Sequence, residues 1–237
     1  MMLSELQSLL AAVPGIRERP EYEHAVLEDN CLGKRTLATR TLSLQRLSEL
    51  YAVEPNVPLF RILRDLWDVS QQGQPQLALL LALARDPLLR MTAAPVLNTA
   101  IGKEFARQDM TDALSEGTGG RFNASTLDKI VRNTSSSWTQ AGHLQGRARK
   151  FRQQIRATPA ASAYALLLGY LQGIRGQSLF HCPWIKVLDL DDLEARERAD
   201  DAKRLGLLDV KQSGSLIDIT FPALLTAADK EIVHGAD

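Results

Sequence analysis

The strongest structural signal in the chain lies in residues 191–222, with the sequence DDLEARERADDAKRLGLLDVKQSGSLIDITFP. Residues 191–205 favour a helix, and Gly206 directly after them is a typical helix stop. Two short runs with the composition of strands follow at 208–211 and 216–221, separated by a Ser-Gly pair that is typical of a hairpin turn. The segment therefore predicts a helix followed by a two-stranded antiparallel hairpin.

The residues before this segment complete a familiar order of elements. We predict a helix over 160–174 and a short helix after Pro183. Three helices followed by a two-stranded hairpin is the order of a winged-helix domain, a variant of the helix-turn-helix. The same pattern occurs over 121–158, where a helix ends near Gly142 and a short basic hairpin follows. The sequence therefore predicts two winged-helix-like units.

The first 115 residues are rich in alanine and leucine and almost lack alternating apolar and polar runs, so we predict that they are all-α. An amphipathic helix opens the chain, and a charged connector is predicted after Pro14-Gly15. A Gly-rich turn at 115–120 marks the end of this part. The predicted fold is mainly α, with a helical N-terminal domain over 1–118, a basic helix plus hairpin over 119–157, and a C-terminal winged-helix-like domain over 158–230.

Composition excludes several classes of protein. The 237 residues are 45% hydrophobic and 24% charged, which is unlike a disordered, collagen-like or coiled-coil chain. Cys31 and Cys182 are too few and too far apart for a disulfide framework or a Cys-based zinc site. No apolar run reaches the roughly 20 residues of a membrane-spanning helix, and we see no export signal. We therefore expect a cytoplasmic protein that does not enter a membrane.

The net charge of zero conceals a strong segregation of sign. Between residues 121 and 156 there are eight basic side chains and one acid, Asp128, whereas 189–209 holds eight acids and four basic side chains. A local basic field attracts phosphates whatever the charge of the whole chain. The acidic 189–204 helix would be repelled by phosphates, so we expect it to serve packing or partner docking.

Ten basic residues are the candidate contacts to nucleic acid. Arginine forks interleaved with short hydroxyl side chains suit phosphate oxygens, because both donate hydrogen bonds without demanding a particular base. Two alternatives stay open: a solvated helix face for the early residues, and intramolecular pairing with the acidic 189–209 segment for the later ones. The candidates are Lys34, Arg35, Arg40 and Arg46 in an early helix, Lys129 and Arg132 in the middle helix, and Arg147, Arg149, Lys150 and Arg152 in the basic hairpin.

The sequence contains few residue patterns that are typical of an active site. None of the four histidines has a partner at metal-ligand spacing, and the adjacent pair His181-Cys182 is typical of a buried cysteine beside a helix boundary. The glycines of 117–120 lack the Lys-Ser/Thr that follows them in a phosphate-binding loop. We predict a protein that is not an enzyme and that uses no metal, cofactor or small-molecule substrate.

Five stretches of the chain together carry a resemblance to a known family. They are KRTLATR at 34–40, LFRILRDLW at 59–67, TLDKIVRN at 126–133 leading to QAGHL at 140–144, AYALLL at 163–168, and LGLL at 205–208. This pattern, spread over roughly 25–225, resembles the BrxA family, the small helical accessory proteins of BREX phage-defence systems. Family members are similar to the helical RNA antitermination factor NusB and are associated with DNA binding. The resemblance implies a non-enzymatic, DNA-associated role at Lys34, Arg35, Arg40, Lys129 and Arg132, and it assigns no contact to the acidic 189–204 helix.

The leading hypothesis is therefore a non-catalytic accessory protein of a bacterial phage-defence system, BREX-type, that binds double-stranded DNA mainly through backbone phosphates. Other defence-system proteins are the expected protein partners. One alternative is a protein–protein adaptor whose basic hairpin meets an acidic partner surface. The other is RNA binding, which ranks lower because only Phe122, Trp138 and Phe151 near the basic segment could stack on bases.

Overall fold

The computed structural model describes residues 1–214 and 216–234 and shows a mainly helical chain with two short antiparallel hairpins. The first half contains α1 (Leu3–Ala12), α2 (Arg19–Leu27), α3 (Leu37–Tyr51), α4 (Pro58–Trp67), α5 (Gln74–Arg85), α6 (Pro87–Met91), α7 (Ala93–Asn98) and α8 (Arg107–Gly117). The second half contains α9 (Ala124–Gln140), β1 (Leu144–Gln145), β2 (Phe151–Arg152), α10 (Pro159–Leu171), α11 (Pro183–Val187), α12 (Asp192–Arg204), β3 (Asp209–Ser213), β4 (Leu216–Thr220) and α13 (Ala227–His234). Short 3₁₀ turns precede α5 and α11.

The predicted mainly-α fold with short hairpins is confirmed. In the C-terminal hairpin, five residue pairs join β3 to β4, from Asp209 opposite Thr220 to Ser213 opposite Leu216. Three helices, α10 to α12, precede it in the predicted order. Ile217 and Ile219 on β4 point into the core, so the alternating pattern of that strand fixes which face is buried.

The core is built around two nearly all-apolar helices. All eight side chains from Gln76 to Leu83 of α5 are buried, and so is almost all of α10. These helices pack against each other, with α3 and α4 on α5 and with α11 and α12 on α10. Burial of a single leucine stabilises the fold by about 1.5–3 kcal/mol, so these two helices contribute a large share of the stability.

One cluster of buried side chains runs through all three predicted segments of the chain, from Leu6 to Leu225. The boundaries predicted at 118 and 157 lie in the connections after α8 and before α10. None of the described helices combines the length and the apolar character needed to cross a membrane.

The charged connector predicted after Pro14-Gly15 is wrong for Arg19–Leu27, which forms α2. Pro20 lies in the first turn, where a missing N–H costs no hydrogen bond. Tyr22, Ala25 and Val26 are buried at helical spacing, and the Tyr22 ring packs edge-on against Phe60 with centroids 5.6 Å apart. The helix escaped prediction because three buried residues among four charged or histidine residues, a proline and a leucine form a weak pattern.

Candidate nucleic-acid interface

An open cleft of about 610 Å³ lies between the start of α8, the middle of α9 and the loop of the β1–β2 hairpin. We call it the basic cleft. Five basic side chains and one carboxylate line it, a net of four positive charges, and two serines of α9 contribute hydroxyl groups. The polar lining consists of Arg107, Arg132, Arg147, Arg149, Lys150, Glu104, Ser135 and Ser136.

The hairpin loop is held in place by its backbone. Leu144 pairs with Arg152 and Gln145 with Phe151, which leaves residues 146–150 as the loop. Gly146 has φ +121°, and a Cβ there would lie 2.0 Å from the Arg149 carbonyl oxygen, so only glycine closes this loop.

A third segment, residues 102–105, runs beside β2 and forms an isolated antiparallel bridge between Glu104 and Phe151. The Phe105 N–H donates to the Lys150 carbonyl at 2.8 Å, and the Arg152 N–H donates to the Lys103 carbonyl at 2.9 Å. Because Phe105 is also buried, this segment anchors the loop on the side opposite β1. The basic loop is therefore supported by two neighbouring segments rather than by one two-residue strand pair.

Helix α9 supplies the opposite wall of the basic cleft. The Asn123 side chain caps the helix by accepting from the Thr126 N–H at 2.9 Å. Val131 and Trp138 face the core, and the indole N–H of Trp138 donates to the Thr92 hydroxyl at 2.8 Å. This buried side fixes the rotation of α9. Its exposed side carries Lys129, Arg132, Asn133 and Ser136.

Two carboxylates partly neutralise the cleft. Glu104 accepts two hydrogen bonds from the Arg149 guanidinium, one of them at 2.8 Å, and these bonds lower the pKa of Glu104 so that it stays ionised. Asp128 accepts from both Arg107 and Arg132. All these side chains are strongly exposed, where ion pairs contribute little to stability and exchange readily for other anions.

Arg147 and Lys150 complete the positive field of the loop. Arg147 is exposed and forms no ion pair with any described residue. The Lys150 ammonium donates to the Thr139 hydroxyl at 2.8 Å, and partial burial lowers its pKa. Both side chains line the basic cleft.

Arg152 does not belong to this surface, so its expected role as a phosphate contact is wrong. Its side chain is 1% exposed, pairs with the Asp189 carboxylate and donates to the Val96 carbonyl at 3.1 Å. Because successive residues of a strand point to opposite faces, Phe151 points outward and Arg152 points inward. Arg152 is a structural residue.

The four early candidates divide into two groups. Lys34 pairs with Glu5 at 2.9 Å, and Arg40 donates to the Leu27 carbonyl at 2.7 Å, so both use donors inside the molecule. Arg35 is exposed, but it lines neither the basic cleft nor the second cleft that lies on the other side of α9. Only Arg46 lies beside α9.

Arg46 lines a second open cleft of about 670 Å³ on the other side of α9, which we call the α3 cleft. Arg85 and Asn133 also line it, and Arg46 pairs with Glu49 at 2.7 Å. Ser136 lines both clefts. The exposed side of α9 therefore forms a ridge between two clefts, each with arginine side chains on its walls.

Intramolecular pairing with the acidic segment does not explain the basic surface. Among the described residues, the buried pair Arg152–Asp189 is the one ion pair that joins 121–156 to 189–209. The acids of α12 are used locally, since Asp192 pairs with Arg196 and Asp201 with Arg204. Within the basic cleft, Arg107, Arg132 and Arg149 pair instead with Asp128 and Glu104, and these two carboxylates do not balance the five basic side chains.

Two further arginines join the candidates that the sequence suggested. Arg107 begins α8 and lines the basic cleft, and Arg85 lines the α3 cleft. Neither lies in a basic run of the sequence, because each reaches the surface around α9 only through tertiary packing. No local signal could have identified them.

Two of the groups that could have suggested catalysis, Cys182 and His143, are buried, whereas His181 is exposed and lies 3.3 Å from the Asp192 carboxylate. Burial raises the pKa of the Cys182 thiol and lowers the pKa of His143 to about 4, so both side chains are uncharged near neutral pH. The His143 Nε2 lies 2.7 Å from the Val187 carbonyl, and the ring packs edge-on against Trp138. Comparisons with protein-family models, with curated proteins and with solved structures found no match, so the interpretation of the clefts rests on their own geometry.

Proposed function

We propose that this protein is a non-catalytic DNA-binding protein that holds duplex DNA mainly through its backbone phosphates. The observation that carries the proposal is the basic cleft, where Arg132, Arg147, Arg149 and Lys150 converge with Arg107 around one open surface. These residues come from three separate elements of the fold. Several basic side chains around one open surface suit a polyanion. They contribute little to the stability of the fold, because exposed ion pairs stabilise weakly.

The chemistry of the cleft favours phosphate. Arginine forks bind phosphate oxygens in pairs, and the serine hydroxyls of α9 add neutral donors. The carboxylates of Glu104 and Asp128 hold the guanidinium groups in place at an exposed surface. A phosphate can replace them there at small cost, because exposed ion pairs contribute about 0–1 kcal/mol.

The proposal extends to the biological setting through the resemblance to the BrxA family. On that basis the protein acts in the cytoplasm as an accessory protein of a BREX-type antiviral defence system, alongside other defence-system proteins. The resemblance supplies this setting, and the basic cleft supplies the physical means of binding.

The salt dependence of binding tests the proposal. If the five basic side chains of the cleft neutralise about five phosphates, log K should fall with log[salt] with a slope of about −4 to −5. Fluorescence anisotropy with a labelled duplex, titrated at several salt concentrations, measures this slope. Absence of binding at low salt, or a flat salt response, would contradict the proposal.

A pair of matched variants connects the slope to the cleft. Arg147→Ala should make the slope less steep by about one, because one phosphate contact is lost. Arg204→Ala removes an exposed arginine of α12 that lies outside both clefts and should leave the slope unchanged. A duplex RNA of the same sequence, run in parallel, shows whether the cleft prefers DNA.

A second candidate function, a protein–protein adaptor, is favoured by an apolar groove of about 690 Å³ between α7 and α11. Leu97, Trp184 and Leu190 line it together with the exposed Arg90 and Lys186. Apolar walls with two cations suit an acidic amphipathic helix of a partner. Co-purification of a partner that survives nuclease and high salt, and that is lost with Leu97→Asp, would support this function.

A further inference from the structure

We infer that α9 enters the major groove of the bound duplex and that Asn133 makes a base contact that gives the protein sequence preference. The inference rests on the proposed function and goes beyond it, because phosphate contacts alone carry no sequence information. Three observations carry it: the position of α9 between two clefts, the charges on both sides of the helix, and the polar groups along its exposed side.

The ridge geometry matches a groove with two walls. Ser136 lines both clefts, while Arg132 lines only the basic cleft and Asn133 only the α3 cleft. An α-helix with its side chains is about 10–12 Å wide, and the major groove of B-DNA is about 12 Å wide. A helix that stands between two open clefts can therefore enter the groove while the phosphate strands occupy the clefts.

Arginine side chains lie on both sides of the ridge, in each case together with carboxylates. On one side of the ridge lie Arg107, Arg147 and Arg149, and on the other side lie Arg46 and Arg85 with the carboxylates Glu49 and Asp86. Arg46 pairs with Glu49, and Arg85 donates to the Glu49 carbonyl, so a phosphate strand on that side must compete with these contacts. The major groove is bordered by one phosphate strand along each edge. Once those contacts are exchanged, arginines on both sides of α9 can reach both edges of the groove.

The exposed side of α9 offers groups that can distinguish bases. Asn133 is exposed, and its side-chain amide forms no hydrogen bond to another described residue. An asparagine amide can pair with N6 and N7 of adenine through one donor and one acceptor. The Ser136 hydroxyl oxygen accepts from Gln140 at 3.2 Å, so its hydrogen remains available for a base or a phosphate.

The length of this side sets the size of the site. From Lys129 to Ser136 the helix rises about 10 Å, which corresponds to about three base pairs at 3.4 Å each. Lys129 lies one helical turn before Asn133 on the same side and is exposed. We therefore expect a core site of about three to four base pairs that contains an adenine.

Selection of bound duplexes from a randomised library, with the full chain and with moderate salt, tests the inference. The expected result is enrichment of one short adenine-containing motif. Asn133→Ala should then weaken binding to the selected duplex by about 5–150-fold, the range of a good bidentate base contact, while binding to unrelated duplexes changes less than twofold. The salt slope should stay the same, because no phosphate contact is lost.

Two controls make the result specific. Asn98→Ala removes an exposed asparagine outside both clefts and should bind the selected duplex as the unmodified protein does. Replacement of the critical adenine by 7-deazaadenine removes the N7 acceptor. It should weaken binding by the unmodified protein and have no further effect on Asn133→Ala.

The outcomes distinguish a failure of this inference from a failure of the proposed function. Salt-dependent binding without any enriched motif, or an equal loss by Asn133→Ala on all duplexes, would overturn the inference and leave the proposed function standing. Failure to bind any duplex at low salt would overturn the proposed function and the inference with it.

Discussion

The chain contains two helix–hairpin units with the same order of elements and opposite surfaces. Helix α9 and the β1–β2 hairpin carry an excess of basic side chains, with Arg132 and Arg149 paired to Asp128 and Glu104. Helix α12 and the β3–β4 hairpin carry an excess of acids, of which Asp192, Asp201 and Asp209 pair with basic residues of the same unit. The order of elements thus determines the shape of each unit but not its partner. The sign of the excess charge distinguishes the two.

The two hairpins are also stabilised differently. The β3–β4 hairpin has five residue pairs and buries Ile217 and Ile219. The β1–β2 hairpin has two residue pairs and relies on the 102–105 segment and on the buried Arg152–Asp189 pair. A surface that presents a basic loop therefore depends on a buried ion pair beneath it, which gives the largest expected effect of mutation.

Arg152→Ala should destabilise the protein by about 3–5 kcal/mol, because it leaves the Asp189 carboxylate buried without its partner. Chemical denaturation measures the loss. The matched substitution Lys211→Ala, on the exposed strand β3, should change stability by less than about 0.5 kcal/mol. The double variant Arg152→Met/Asp189→Asn should be more stable than Arg152→Met alone; equal stability of the two would show that the ion pair is not the cause.

The stability of the first unit should depend on pH through His143. Burial lowers its pKa from 6.5 to about 4, so between these values the unfolded chain binds a proton that the folded chain does not. The free energy of unfolding should therefore fall as pH decreases from 6.5 to 4, by up to about 3 kcal/mol. Denaturation curves across this range, compared with His143→Gln, measure the contribution. An identical pH dependence in the variant would contradict it.

The two long helices should respond alike to loss of their caps. Asn123 caps α9, and Asp191 caps α12 through a capping box with Glu194. Alanine at either position should cost about 1 kcal/mol of stability. Only Asn123→Ala should also alter DNA affinity, since it loosens the first turn of the helix that lines both clefts. An equal effect of both variants on affinity would mean that the two units do not differ in function.

Local signals explain why the C-terminal unit was predictable. Gly206 follows α12, and Gly214, with φ +60°, lies in the turn between β3 and β4 where the Ser-Gly pair placed it. The apolar runs of α5 and α10 are likewise local features that are visible in the sequence alone. These elements need no knowledge of the rest of the chain.

The functional surface was only partly predictable, because it depends on tertiary packing. Arg147, Arg149 and Lys150 lie in one basic run and converge as expected. Arg152 belongs to the same run, yet its inward direction follows from the pairing of a two-residue strand that the sequence marks weakly. Arg107 reaches the cleft from an element about 40 positions before the basic loop along the chain. No periodic pattern in the sequence indicates that these two segments lie side by side.

Gly146 has a practical consequence for engineering. A side chain at this position would collide with the loop's own backbone, whereas the arginines and lysine around it are exposed or half-exposed and make few backbone contacts. The loop can therefore serve as a replaceable cassette. Libraries that keep this one glycine and vary its charged neighbours would change the affinity for a polyanion while the fold stays the same.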